Sequence, residues 1–222
     1  MDDRDASTAG GIPPHGDARI LRRAPGGTAA RAVIMVHGRG ASAQDILTLA
    51  APLGLDDALL LAPQANGHTW YPFSFLAPMA QNEPGITSGI ALLESLVRQV
   101  ESDGVPASRI ALLGFSQGAC LTTEFVARHP RPYGAVLGFS GGLIGPPGTL
   151  RDYPGSLDDT PVFLGCSDVD PHIPAARVQE TATVLAKMGA RVDLRLYPGM
   201  PHTINNDELA AGRALLDTLS PA

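Results

Sequence analysis

The sequence predicts an α/β fold with a mostly parallel central sheet and helices on both of its faces. Three observations carry this expectation. Short apolar runs recur along the chain, among them AVIMV (32–36), ALLLAP (58–63), IALLGF (110–115), AVLGF (135–139) and PVFLGC (161–166). They are continuous rather than alternating, as strands buried on both faces require. Amphipathic segments of helical period stand between them, which specifies βαβ units. Glycine and proline, 25 and 20 of the 222 residues, mark the connections, and the length suits one domain.

Residues 1–16 are polar, rich in Gly, Ala and Pro and without periodicity, so they read as a mobile tail ahead of a single domain over 17–222. ARILRR (18–23) and the AVIMVHG run (32–38), separated by PGGT, predict a strand pair that opens the fold. Ser42 stands three residues before Asp45, a capping-box start for a helix over AQDILTLA. Pro63 ends the ALLLAP strand, and Gln64 to Gly85, with three prolines among aromatics, reads as a long surface excursion of the functional kind. Ile86, Ile90, Leu93, Val97 and Val100 then share one helical face. Residues 117–129 form a helix that Pro130 ends, and the AVLGF and PVFLGC strands follow. Val178, Ala182, Leu185 and Met188 define the next helix, with Gly189 as its C′ glycine. VDLRLY (192–197) alternates as a strand near the sheet edge does, and Leu209, Gly212, Leu216 and Leu219 close the chain with a helix.

The formal charge of -6 and the lack of any basic cluster argue against a nucleic-acid surface or a polybasic membrane patch. The start, MDDRDASTAGG, does not have the basic, apolar form of a signal peptide, and no apolar run approaches about 18 residues. A cytoplasmic protein without stable membrane anchoring is therefore expected. Cys120 and Cys166 show no metal-like spacing, so two buried thiols are expected, with neither a disulfide framework nor a zinc site, and no metal or cofactor is implied.

The string G-x-S-x-G occurs twice, as Gly114-Phe115-Ser116-Gln117-Gly118 and as Gly138-Phe139-Ser140-Gly141-Gly142. A nucleophile elbow needs a strand before the serine, a helix after it and small flanking residues. Only Ser116 has both sides, because Ser140 runs into GGLIGPPG, which cannot start a helix. Ser116 is the candidate nucleophile, and Ser140 is expected in a loop bordering the site. A serine needs a histidine to take its proton and a carboxylate to hold that histidine. His202 follows the last strand and opens the terminal helix, whereas His172 lies two residues from Asp170 and would leave the final loop without a role, so His202 is the candidate base. The GCSDVDPHIP segment offers Asp168 and Asp170 just past a strand end, and spacing does not choose between them. Two backbone donors are needed for an oxyanion: the amide of Gln117, after the serine, and that of Arg39 in the glycine-rich turn His37-Gly38-Arg39-Gly40.

Taken in order, HGRG, GFSQG, DPHIP and GMPH resemble the α/β-hydrolase superfamily, and within it the phospholipase/carboxylesterase family that includes acyl-protein thioesterases and bacterial carboxylesterases. The likeness spans about residues 31–219, and its specificity lies in the ordered set. The resemblance implies the α/β-hydrolase fold and a serine esterase cleaving small carboxylic ester or thioester bonds through an acyl-enzyme. It matches Asp170 to the acid of the family's D-P-x-[VI]-P string, and Ser116 and His202 to its G-F-S-Q-G and G-M-x-H positions. It implies a small-molecule ester or thioester as partner and leaves a homodimer open. Arg39 departs from the apolar residue usual in acyl-protein thioesterases, and as a flexible cation at the mouth it could steer a polar substrate or stay solvated. Trp70, Tyr71, Phe73 and Phe75 are expected as substrate-pocket or lid residues, with satellite core packing as the alternative, and Phe115 and Leu143 are expected in the substrate pocket. A dienelactone-hydrolase-like or peptidase activity is the alternative on the same scaffold, although Ser116 stands where the former uses Cys, and a non-catalytic ligand-binding relative is the alternative of another class.

Overall fold

The structure is a computed structural model, and it describes residues 2–7, 11–27 and 29–219. The apolar runs form the middle of one sheet. In β3 (Ala32–Val36), β4 (Leu59–Pro63) and β6 (Ala135–Phe139) every residue is buried, and β5 (Ile110–Phe115) and β7 (Pro161–Ser167) are buried along nearly all their length. Continuity follows from the pleat, because alternate side chains enter different cores. Ile34, Val36, Leu112 and Val136 pack on one face, while Val33, Met35, Leu113 and Leu137 pack on the other.

With β1 (Asp2–Ser7), β2 (Arg19–Ala24) and β8 (Arg191–Tyr197), the sheet order is β1-β2-β4-β3-β5-β6-β7-β8. The pairs from β4 through β8 are parallel, and β2 pairs antiparallel with β4 and with β1. The expected pairing of β2 with β3 does not occur. The fully buried β3 lies between β4 and β5 instead, and the half-exposed β2 stands outside β4. The alternating β8 does lie at an edge.

One face is covered by α2 (Gly85–Ser102), α3 (Gln117–Arg128) and α4 (Ala175–Lys187), and the other by α1 (Ala43–Leu47) and α5 (Asn206–Asp217). Capping boxes open α1 at Ser42 and α5 at Asn205, and Gly189, at φ 88°, follows α4 as expected. The expected tail over 1–16 is not one where it is described: residues 2–7 pair with β2 as β1, and residues 11–16 pack on the domain, while residues 1 and 8–10 lie outside the described residues. His15 is buried, its amide donates to Ser88 Oγ at 2.7 Å and its Nε2 bonds the Trp70 carbonyl at 2.9 Å. Because β3, β5, β7 and β8 run the same way, the connections after them, carrying Arg39, Ser116, Asp170 and His202, gather at the carboxyl ends of the strands.

Candidate active site

Ser116 sits between β5 and α3 at φ 54°, ψ −121°, a conformation that non-glycine residues adopt only where surrounding structure enforces it. Its amide donates to Phe139 O at 2.9 Å and its carbonyl accepts from Cys120 N at 3.0 Å. The close packing explains the flanking glycines: a Cβ at Gly114 would strike the Gly118 carbonyl, and one at Gly118 the Val36 carbonyl. Although Ser116 is the N-cap of α3, its side chain caps nothing and is free to face outward. Ser140 also has positive φ, 49°, so both G-x-S-x-G strings build a sharp strand-end turn. Its hydroxyl, however, is buried without a nitrogen or oxygen partner, and no helix follows it.

The hydroxyl of Ser116 lies 2.8 Å from His202 Nε2, and His202 Nδ1 lies 2.6 Å from Asp170 Oδ2. A carboxylate acceptor places the proton on Nδ1 and leaves Nε2 to accept from the serine. Asp170 is 9% exposed, and its Oδ1 accepts from the amides of His172 and Ile173 at 2.8 and 2.9 Å. Burial pushes the Asp170 carboxyl up, but the bonds from His202 and these two amides outweigh it and hold the pKa below the usual value. Asp168 does something else. It accepts from Gly199 N at 2.8 Å, fixing the turn that leads to His202. The His202 ring also packs against Phe115 at 5.0 Å and edge-on against His172 at 4.9 Å.

In the turn after β3, His37 is buried, and this burial holds its pKa below the ordinary histidine value. Its ring bonds Gly38 O at 2.7 Å and accepts from Ala65 N at 3.1 Å. Gly40 N bonds His68 O and Ala41 N bonds Gly38 O. The amides of Arg39 and Gln117 meet no acceptor among the described residues, and both residues line the same cleft as Ser116.

That cleft, of about 440 Å³, is lined by Tyr71, Phe73, Phe75, Phe115, Cys120 and Ile173 together with Ser116 and His202. Two expected pocket residues are elsewhere. Trp70 is fully buried behind the wall, its Nε1 donating to His37 O at 2.8 Å and its ring lying between His15 and His37. Leu143 is core, its carbonyl held by Arg177. The Arg39 guanidinium is neither loose nor merely solvated: it donates to the carbonyls of Tyr71, Pro72 and Phe73 at 2.9, 2.8 and 2.6 Å. Cys120, Ile173 and His172 line the cleft without having been expected there. For Cys120 the signal was available, since it stands four residues after Ser116 and shares its helix face. Buried Asn82 carries no such signal. It accepts from Phe73 N and donates to Ser74 O, both at 2.8 Å, and so supports the wall from outside the cleft.

A sheet in this order, with a strained serine turn over the N-terminus of α3, defines an α/β-hydrolase. The model of the phospholipase/carboxylesterase family matches residues 21–220, and the chain belongs to that family. It is a carboxylic ester hydrolase of the serine esterase type. Acyl-protein thioesterase 1 of Yarrowia lipolytica is 26% identical over 218 residues, covering 90% of this chain and 95% of that one. The crystal structure of a phospholipase/carboxylesterase from Dyadobacter fermentans superposes with a TM-score of 0.84 at 44% identity, over 90% of this chain and 95% of the other. Esterase PE8 gives 0.74 at 26% identity, over 90% and 97%. Among the described residues no helix is long and apolar enough to cross a membrane.

Proposed function

We propose that this enzyme cleaves small carboxylic ester or thioester bonds through an acyl-enzyme on Ser116. The observation that carries the reading is the unbroken hydrogen-bonded line from Ser116 through His202 to Asp170 at the lip of a cleft. Ser116 Oγ attacks the acyl carbonyl while His202 Nε2 takes its proton, and Asp170 stabilises the imidazolium that forms. The carbonyl oxygen, now negative, meets the unpaired amides of Arg39 and Gln117. Collapse breaks the bond to the alcohol or thiol, which leaves with the proton from His202. Water then attacks the acyl-serine, losing its proton to His202, and the acid departs as Ser116 recovers its hydrogen.

Hydrolysis of p-nitrophenyl acetate and butyrate tests this reading. Ser116→Ala is expected to lower kcat by about 10³-fold or more, while Ser140→Ala, whose hydroxyl bonds no nitrogen or oxygen, keeps wild-type turnover. Full turnover by Ser116→Ala overturns the assignment. A fluorophosphonate probe is expected to label Ser116, and an unlabelled, inert protein would instead mark a ligand-binding relative.

A further inference from the structure

We infer that Tyr71 is the acyl-length gate of the cleft, fixed by side chains of the same two residues whose amides face the oxyanion, and that it restricts the enzyme to short acyl groups. The inference rests on the reading that Ser116 carries the acyl group. The Tyr71 carbonyl receives three donors: Arg39 Nη2 at 2.9 Å, Gln117 Nε2 at 2.8 Å and Thr69 Oγ1 at 2.9 Å. A carbonyl has two lone pairs, so its capacity is filled. On either side of Tyr71 the stitching continues. Trp70 N donates to Gln117 Oε1 at 2.9 Å, Arg39 holds the carbonyls of Pro72 and Phe73, and Phe73 N donates to Asn82. The segment is therefore a fixed wall rather than a hinged lid, and its anchor points are the oxyanion turn and the first turn of α3.

Fixing that backbone fixes where the ring goes. Tyr71 and Cys120 line the cleft although they are 1% and 0% exposed, so they form its floor, whereas Phe73, 54% exposed, stands at its mouth. Cys120 lies one helical turn below Ser116, a distance on the order of 6 Å along the axis, or about the length of a four-carbon chain. The Tyr71 hydroxyl is buried with no nitrogen or oxygen partner. Burial pushes its pKa well up, so it stays neutral, and its side chain bonds that of Cys120 beside it on the floor. An acyl chain long enough to reach the floor would run into the Tyr71 ring, which the fixed backbone does not let move aside. The alcohol or thiol portion leaves through the mouth. The substrate class is accordingly esters or thioesters of short acids, with a leaving group that can be large.

A p-nitrophenyl ester series from acetate to octanoate tests the gate. The wild type is expected to lose about 30-fold or more in kcat/KM from butyrate to octanoate. Tyr71→Ala should raise the octanoate-to-butyrate ratio about tenfold, mainly through KM, and Tyr71→Phe, which keeps the ring, should hold the wild-type ratio. Arg39→Lys, at an exposed position that does not threaten folding, replaces a fork by a point charge and should raise the ratio about threefold. Equal turnover of butyrate and octanoate by the wild type overturns the gate, as does a ratio that neither Tyr71→Ala nor Arg39→Lys moves. Absence of turnover on every ester would instead overturn the functional reading beneath it.

Discussion

Asp168 and Asp170 stand two residues apart on one loop and face different partners. Asp170 reaches His202, while Asp168 reaches the Gly199 amide that shapes the loop carrying His202. Asp170→Asn should lower kcat by about 10³–10⁴, because an amide cannot both accept from Nδ1 and balance the imidazolium. Asp168→Ala should cost about tenfold, by letting His202 wander from its line to Ser116. Steady-state kinetics on p-nitrophenyl acetate distinguishes the two, and equal losses would refute the division of roles. Spacing alone did not separate these carboxylates, since both follow the same strand end. The D-P-x-[VI]-P resemblance favoured Asp170, and the 2.6 Å contact with His202 agrees with it.

At the scale of elements, the elbow depends on how closely α3 approaches the sheet. Gly118 touches the Val36 carbonyl of β3 so closely that a methyl group has no room, whereas Gly40, at φ 76°, has open space around its missing Cβ. Gly118→Ala should cost about 3 kcal/mol or more and reduce turnover with it. Gly40→Ala should cost only about 1–2 kcal/mol of backbone strain. Denaturant unfolding measures both, and a Gly118→Ala protein as stable as the Gly40→Ala one would contradict the packing argument. The 64–85 excursion was legible as a long functional segment from its prolines and aromatics. Its rigidity was not, because the groups that hold it, on Arg39, Gln117 and Asn82, come from the turn after β3, from α3 and from the far end of the excursion itself.

For the whole molecule, buried titratable groups pull stability in opposite directions with pH. Burial holds His15 and His37 below the ordinary histidine pKa, so they stay neutral in the fold and take up protons on unfolding. Their contribution is present above about pH 6.5 and is lost as the pH falls below it. Asp170, also held low, contributes above the usual carboxylate range and loses that contribution as acid titrates the native state. Glu208 acts in reverse. Burial pushes its carboxyl up to about 7, and one of its oxygens has no hydrogen-bond partner. The native state therefore binds the extra proton, and the stabilisation, full below about pH 4.3, is lost as the pH rises through 7. Glu208→Gln should raise Tm at pH 8 by several degrees, about 2–4 °C for each kcal/mol relieved, and should change it little at pH 5. Thermal melts at the two pH values decide this, and an effect independent of pH would exclude a titrating Glu208.

The sequence by itself determined the fold class and the order of the elements from β2 to α5, and it favours Ser116 over Ser140 as the nucleophile, since each rests on local period or on what can start a helix. Buried strands show as apolar runs and helices as apolar faces, and these signals survive without knowledge of any partner. The tertiary structure decided that β2 pairs with β4, that Trp70 and Leu143 are core, that the Arg39 guanidinium clamps the cleft wall and that Asp168 serves the His202 loop. These depend on contacts between residues far apart in the chain. A side chain's partner across the fold is fixed by how the layers pack, and no local pattern encodes that direction.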